Sequence, residues 1–190
     1  MEEIFIHGTS IIHPSSKIGL GTKIWQFSHI MKNSKIGENC NLGQNVVISP
    51  NVIVADNVKI QNNVSLFTGV EIEKNVFIGP SVVFTNIKNP RSEINRRNLF
   101  KRTLIKQGSS LGANSTIICG IEIGKYAMIG AGTVVTKNIC DYALVVGNPS
   151  RQIGWVSESG NRLNFIDGIA ICEESKMEYF IEGNKVRKNE

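Results

Sequence analysis

From Ile11 to Val82 one pattern of hydrophobic and polar positions repeats every six residues. Cut into sixes, the stretch reads IIHPSS, KIGLGT, KIWQFS, HIMKNS, KIGENC, NLGQNV, VISPNV, IVADNV, KIQNNV, SLFTGV, EIEKNV, FIGPSV. The second residue of each block is Ile, Leu or Val, from Ile12 to Ile78, and the sixth is small or β-branched, from Ser16 to Val82. An α-helix cannot hold such a period, because its apolar face recurs about every 3.6 residues. One large and one small inward residue per block predicts a three-sided coil of short parallel strands, six residues to a side and eighteen to a turn. Three places after the apolar anchor stand Asn33, Asn39, Asn45, Asn51, Asn57, Asn63 and Asn75. Asparagine tolerates a left-handed backbone better than other non-glycine residues, so these positions are expected to be the corners and to be structural.

Taken in order, residues 1–10 read as a lead-in strand, and the repeat holds register to Phe84. The segment NIKNPRSEINRRNLFKRT (86–103) has no six-fold pattern and is rich in Arg and Lys. The repeat resumes at Ile105 and runs through Leu111, Ile117, Ile123, Ile129 and Val135. Phe84 and Ile105 are 21 residues apart where six are due, so about fifteen are inserted, and a loop of that length in a compact domain is usually functional. Residues 157–190 read as short strands around polar turns, a hairpin capping the open end of the coil. The chain is therefore expected to be all-β, with a coil domain over 1–156 and a small tail over 157–190. The repeat resembles the hexapeptide-repeat, left-handed parallel β-helix of the acyltransferase superfamily. The left hand is implied by that resemblance, since crossovers between parallel strands are normally right-handed.

Composition narrows the partners. With 41% hydrophobic residues the chain has ample core, and its net charge of +5 favours anionic ligands. The basic residues are scattered without aromatic companions, which argues against nucleic acid and for nucleotide phosphates. Cys40, Cys119, Cys140 and Cys172 show no metal or redox spacing, and Cys40 falls on a small inward position. No basic-then-apolar leader and no membrane-length apolar run is present, so a soluble cytoplasmic protein is expected.

Residues eighteen apart stack on neighbouring coils, about 4.8 Å apart. One outward column reads Gln26, Gln44, Asn62, Pro80, with Gln61 beside Asn62. These are not the corner asparagines, so turn geometry does not account for them. The column is either a ladder of amides for sugar hydroxyls or a base edge, or a solvated polar corner. Past the insertion the same column turns small, at Gly112-Ala113 and Gly130-Ala131-Gly132. Small residues let an extended ligand such as the pantetheine arm of coenzyme A lie against the backbone, an explanation preferred for the cluster over tight packing. Lys137 and Arg151 are placed to meet the coenzyme's phosphates, solvation being the alternative. Asn86, at the mouth of the insertion, is expected between the amide and small-residue zones, and Arg91 in the loop suits a pyrophosphate or carboxylate. Outward Val47, Ile53 and Phe77 are expected to bury against a neighbouring copy of the chain.

Histidine occurs only at His7, His13 and His29. That leaves no three-histidine zinc site in the middle coils and no base near Asn86, so no metal is expected. His29 is assigned to substrate binding instead. An amine acceptor needs no such base, because a sugar amine has an appreciable neutral fraction near pH of about 7.7–8.0.

The segments IWQFSHI (24–30), KIQNNVSL (59–66), GPSVVFTNIKNPRS (79–92), LGANSTIICG (111–120) and ALVVGNPSRQIGW (143–155) resemble N-acetyltransferases of UDP-2-acetamido-3-amino-2,3-dideoxyglucuronate. Related enzymes act on dTDP-3-amino-3,6-dideoxyhexoses. The resemblance spans residues 10–157. It implies a homotrimer using acetyl-CoA, with sites in clefts between subunits, that makes sugars for bacterial O-antigen and other surface polysaccharides. It implies no histidine base: the asparagine matching Asn86 lies beside the reacting amine, and the departing thiolate accepts the proton. A non-catalytic β-helix scaffold is the competing class, and it would need neither the loop, nor the amide column, nor the small-residue corner.

Overall fold

The structure, a computed structural model, describes residues 3–189. Expectations for residues 1, 2 and 190 lie outside the described residues. Each hexapeptide forms a two- or three-residue strand, and each strand pairs in parallel with the strand one turn away, Lys59 with Phe77 and Ser65 with Val47. Three faces result. The first carries Phe5–Ile6, Lys23–Ile24, Asn41–Leu42, Lys59–Ile60, Phe77–Ile78, Ser110–Leu111, Met128–Ile129 and Ala143–Val146. The second carries Ile11–Ile12, His29–Ile30, Val47–Ile48, Ser65–Leu66, Val83–Phe84, Thr116–Ile117 and Val134–Val135. The third carries Lys17–Ile18, Lys35–Ile36, Ile53–Val54, Val70–Ile72, Thr103–Ile105 and Glu122–Ile123. The chain is thus the parallel β-helix that the period of six predicts.

The anchors from Ile24 to Val135 fill the interior and are essentially buried, as is Cys40. In the early coils the small inward residue is a hydroxyl that reaches the next coil. Thr22 donates to the Gly37 carbonyl at 2.8 Å and Ser28 to that of Gly43 at 3.0 Å, while the Cys40 N–H donates back to Thr22 Oγ1. Those buried hydroxyls are satisfied by the coil itself, the condition under which burying them costs little. The seven predicted asparagines all have φ between +55° and +63°. The same position is left-handed at Phe27, Ser81, Asn114 and Tyr126 and at Gly21, Gly69, Gly108, Gly120 and Gly132.

The insertion leaves the stack undisturbed. Ile72 pairs with Ile105 and Phe84 with Ile117, so the coil re-enters in register. At the base of the loop the Lys101 N–H donates to the Asn86 carbonyl at 2.9 Å. Arg102 grips Glu71 as a fork, Nε to Oε1 at 2.9 Å and Nη2 to Oε2 at 2.6 Å, and this hydrogen bonding holds the Glu71 carboxyl below its ordinary range.

At the far end Ala143–Val146 turns back antiparallel against Arg151–Val156, which pairs with Arg162–Leu163. A three-stranded antiparallel sheet follows, of Ile169–Ile171, Glu178–Glu182 and Lys185–Lys188. Tyr179, Cys172, Ala170, Leu163 and Val186 form a second small core against Tyr142 and Trp155 of the last coil. Tyr126 and Tyr142 stack with centroids 5.4 Å apart, and Tyr142 meets Tyr179 edge-on at 5.7 Å. Burial, reinforced by the charge of nearby Glu158, pushes the Tyr142 phenol well above its ordinary value.

Candidate functional site

Three edges join the three faces, and the register assigns each candidate to one of them. The edge between the first and second faces carries Gln26, Gln44, Asn62, Pro80, Ala113 and Ala131. Its continuity is visible in backbone bonds: Asn45 N–H to the Gln26 carbonyl, Asn63 to Gln44, Ser81 to Asn62, Asn114 to Pro80 and Gly132 to Ala113. Gln44 and Asn62 are exposed, and Gln26 and Gln61 are half-buried. Arg151, paired with Val146 above Gly130, stands exposed at the end of this same edge.

Turn geometry does use Asn62: its side-chain Oδ1 accepts the Gln44 backbone N–H at 2.9 Å, as Asp56 Oδ1 accepts that of Glu38 at 2.8 Å. The amide column is therefore partly a set of coil-to-coil staples, with the Asn62 NH2 left over. Packing also requires two of the glycines. A Cβ on Gly112 would lie 2.5 Å from the Ala131 nitrogen, and one on Gly130 would lie 2.8 Å from Val146 Cγ1. The open small positions are Ala113 and Ala131, together with Gly132, where an added Cβ meets nothing within 4 Å.

Asn86 is not between the two zones of that edge. It follows Phe84 of the second face, on the edge between the second and third faces, in the column of Thr68, Cys119 and Lys137. Lys137 thus shares an edge with Asn86 and not with Ala131. The two edges border the same face and face apart, so one chain does not bring Asn86 to the amide and alanine column. His29 lies on the second face itself, half-buried between Ile11 and Val47, three coils before Asn86. Arg91, Arg96 and Arg97 line a groove of about 470 Å3 within the inserted loop, with Arg91 Nη1 donating to the Pro90 carbonyl at 3.0 Å.

The apolar residues proposed for assembly also separate: Val47 is on the second face, Ile53 on the third and Phe77 on the first. The coherent neutral surface is the second face, whose outward residues are Ile11, His29, Val47, Ser65, Val83, Thr116 and Val134, with no Lys, Arg, Asp or Glu among them. Counting by eighteen with the insertion removed would have found it. Among the described residues, no three His, Cys, Asp or Glu side chains gather to hold a metal ion, and no helix is long and apolar enough to cross a membrane.

Residues 102–137 match the family described as bacterial transferase hexapeptide (six repeats), and residues 25–96 match the GMPPB C-terminal domain. Over 84 residues the chain is 50% identical to the dTDP-3-amino-3,6-dideoxy-alpha-D-galactopyranose 3-N-acetyltransferase of Aneurinibacillus thermoaerophilus, a match covering 44% of either chain. Over 92 residues it is 35% identical to the bifunctional protein GlmU of Thermotoga maritima, covering 45% of this chain and 18% of that one. The chain spans less than half the length of these curated relatives. Among solved structures, a hexapeptide transferase family protein from Anaplasma phagocytophilum superposes with TM-score 0.57 at 18% identity, covering 84% of this chain and 87% of that one. The acetyltransferase domain of PglB from Neisseria gonorrhoeae, in complex with acetyl coenzyme A, superposes with TM-score 0.54 at 20% identity, covering 80% and 58%. At these identities the likeness is one of fold.

Proposed function

We propose that the chain is an acetyl-CoA-dependent N-acetyltransferase of a nucleotide-linked 3-amino sugar, acting in the cytoplasm to supply bacterial surface polysaccharide such as O-antigen. The observation that carries the reading is the 50% identity to an enzyme named for this reaction on a dTDP-linked sugar. Within the class, the candidates are UDP-2-acetamido-3-amino-2,3-dideoxyglucuronate and a dTDP-3-amino-3,6-dideoxyhexose, and the relative's name supports the second.

The split between edges makes assembly part of the mechanism. Three copies with their second faces around a common axis close a ring, and each junction then joins one copy's Asn86 edge to the next copy's amide and alanine edge. The neutral second face supports this homotrimer. Each cleft would hold the nucleotide-sugar near Gln44, Gln61, Asn62 and His29. The coenzyme would run along Ala113 and Ala131, with Arg151 or the neighbour's Lys137 at its phosphates. Arg91 would hold an anionic group of the sugar substrate.

In the reaction, the sugar amine attacks the thioester carbonyl carbon, the carbon–sulfur bond breaks, and the departing thiolate takes the amine's proton. The Asn86 side-chain oxygen accepts a hydrogen bond from the amine and aims its lone pair, a contribution of positioning. The test is incubation of purified protein with acetyl-CoA and a panel of UDP- and dTDP-linked 3-amino sugars, following free thiol. Thiol release with one of these sugars is expected. None with any of them, by a correctly assembled trimer, overturns the reading.

A further inference from the structure

Three aromatic side chains sit at left-handed corners: Phe27 at φ +57°, Tyr126 at +56° and Tyr142 at +61°. For a bulky residue this backbone is strained, and such strain persists where something else is gained. At Tyr126 and Tyr142 the gain is visible, since the rings stack on one another and on the cap. Among the described residues Phe27 has no stacked aromatic partner, and 60% of it is exposed. Beyond Phe27, the left-handed corners of this edge are Asn45, Asn63, Ser81, Asn114 and Gly132, the small or polar residues the geometry prefers.

What surrounds Phe27 points to a ligand. Asn45 stacks one coil above it, with its own amide engaged to Asn63 at 3.1 Å. Gln26 precedes it and Gln44 lies in the next coil. Among the described residues neither glutamine side chain has a hydrogen-bond partner. Trp25 stands two residues before, its indole N–H fixed to Asn41 Oδ1 at 2.7 Å and its ring packed against Phe5 at 5.2 Å. A flat apolar face beside two free amides matches a heteroaromatic ring with a polar edge. Burial against a protein surface would leave those amide donors and acceptors unpaired, which disfavours Phe27 as a subunit anchor.

We propose that Phe27 is the stacking platform for the nucleobase of the nucleotide-sugar, with the Gln26 and Gln44 amides reading the base edge. This rests on the reaction proposed above and places the base at the early-coil end of the amide edge. An amide offers a donor and an acceptor side by side, the complement of the alternating edge of uracil or thymine.

The test uses the full chain and Phe27→Asn, which installs the residue the corner prefers. UDP, dTDP and inorganic pyrophosphate are titrated by calorimetry, with Phe27→Tyr as the conservative control. Stacking of a base on an aromatic ring predicts that Phe27→Asn weakens UDP or dTDP binding by about fivefold or more. Pyrophosphate binding should not change, the melting temperature should hold or rise, and Phe27→Tyr should bind like the natural protein. Equal nucleotide affinity for Phe27→Asn, or a change of oligomeric state by sedimentation, overturns the proposal. If the natural protein transfers acetyl to the sugar and Phe27→Asn keeps its KM, only the stacking site falls. If the natural protein neither binds these nucleotides nor acetylates the sugars, both readings fall.

Discussion

Asn62 accepts the backbone N–H of Gln44 through its side-chain Oδ1 at 2.9 Å, which leaves only its NH2 facing solvent on the amide edge. Stability and the proposed role in substrate binding can therefore be separated at one residue. Asn62→Asp keeps the acceptor and loses the donor; Asn62→Ala loses both. Loss of the staple should cost about 1 kcal/mol. The alanine variant should melt about 2–4 °C lower, while the aspartate variant melts normally. Both should raise the KM for the amino sugar. An aspartate variant with unchanged KM would remove Asn62 from the sugar site.

Gly112 and Ala131 predict opposite phenotypes on one edge. The added Cβ of Gly112→Ala meets the next coil's backbone, so the coils must part, an overpacking cost of about 1–3 kcal/mol. Ala131→Leu projects into the open and should leave stability intact while raising the KM for acetyl-CoA more than that for the sugar. Thermal melts and initial rates for both variants check this, and an equal effect of Ala131→Leu on both substrates would move the coenzyme elsewhere.

Asn86→Ala should lower kcat by about ten- to a thousandfold, the order expected for one oriented polar group. Its backbone carbonyl, which receives Lys101, survives the substitution, so the loop base should persist. His29→Asn should be mild and should retain the single ionisation of the substrate amine in the rate profile. If His29→Asn abolishes that ionisation together with activity, the imidazole is a base.

Val83 is half exposed on the neutral face. Val83→Glu puts a charge on each of three facing surfaces and should yield monomers by sedimentation at micromolar concentration. Activity should fall in parallel, because the proposed cleft draws on two chains. A fully active monomer would contradict the shared cleft.

The Tyr142 phenol has its folded pKa raised above the ordinary 10.0, burial being the main cause. Above that pH the unfolded chain releases a proton that the folded chain keeps, so the contribution of Tyr142 to stability should be level below pH 10.0 and decline as pH rises further. Tyr142→Phe should flatten part of this decline, with Tyr179, shifted in the same direction, supplying the remainder. Melting curves from neutral pH upward decide the point.

The coil was legible in the sequence because its two requirements are local: an apolar anchor every six residues and a left-handed corner three places later. The corners at Phe27, Ser81, Tyr126 and Tyr142 were hidden, since their identities speak against the backbone they adopt. The second core under the cap was not visible either, because Tyr142 and Trp155 of the coil complete it and neither belongs to the tail. The separation of Asn86 from Ala113 needs only arithmetic. They are 27 residues apart, of which about fifteen are insertion, so two thirds of a turn divides them. Reading along the chain made them neighbours; reading around the prism does not.

Re-entry of the chain at Thr103 in register with Val70 has a consequence for how such a protein can change. Each layer touches only the layers directly above and below it, so extra chain extruded at an edge is invisible to the rest of the stack. Segments at that port can then be lengthened, shortened or exchanged with no repacking of the interior. The prism is a chassis whose edge loops can drift freely while its frame stays fixed.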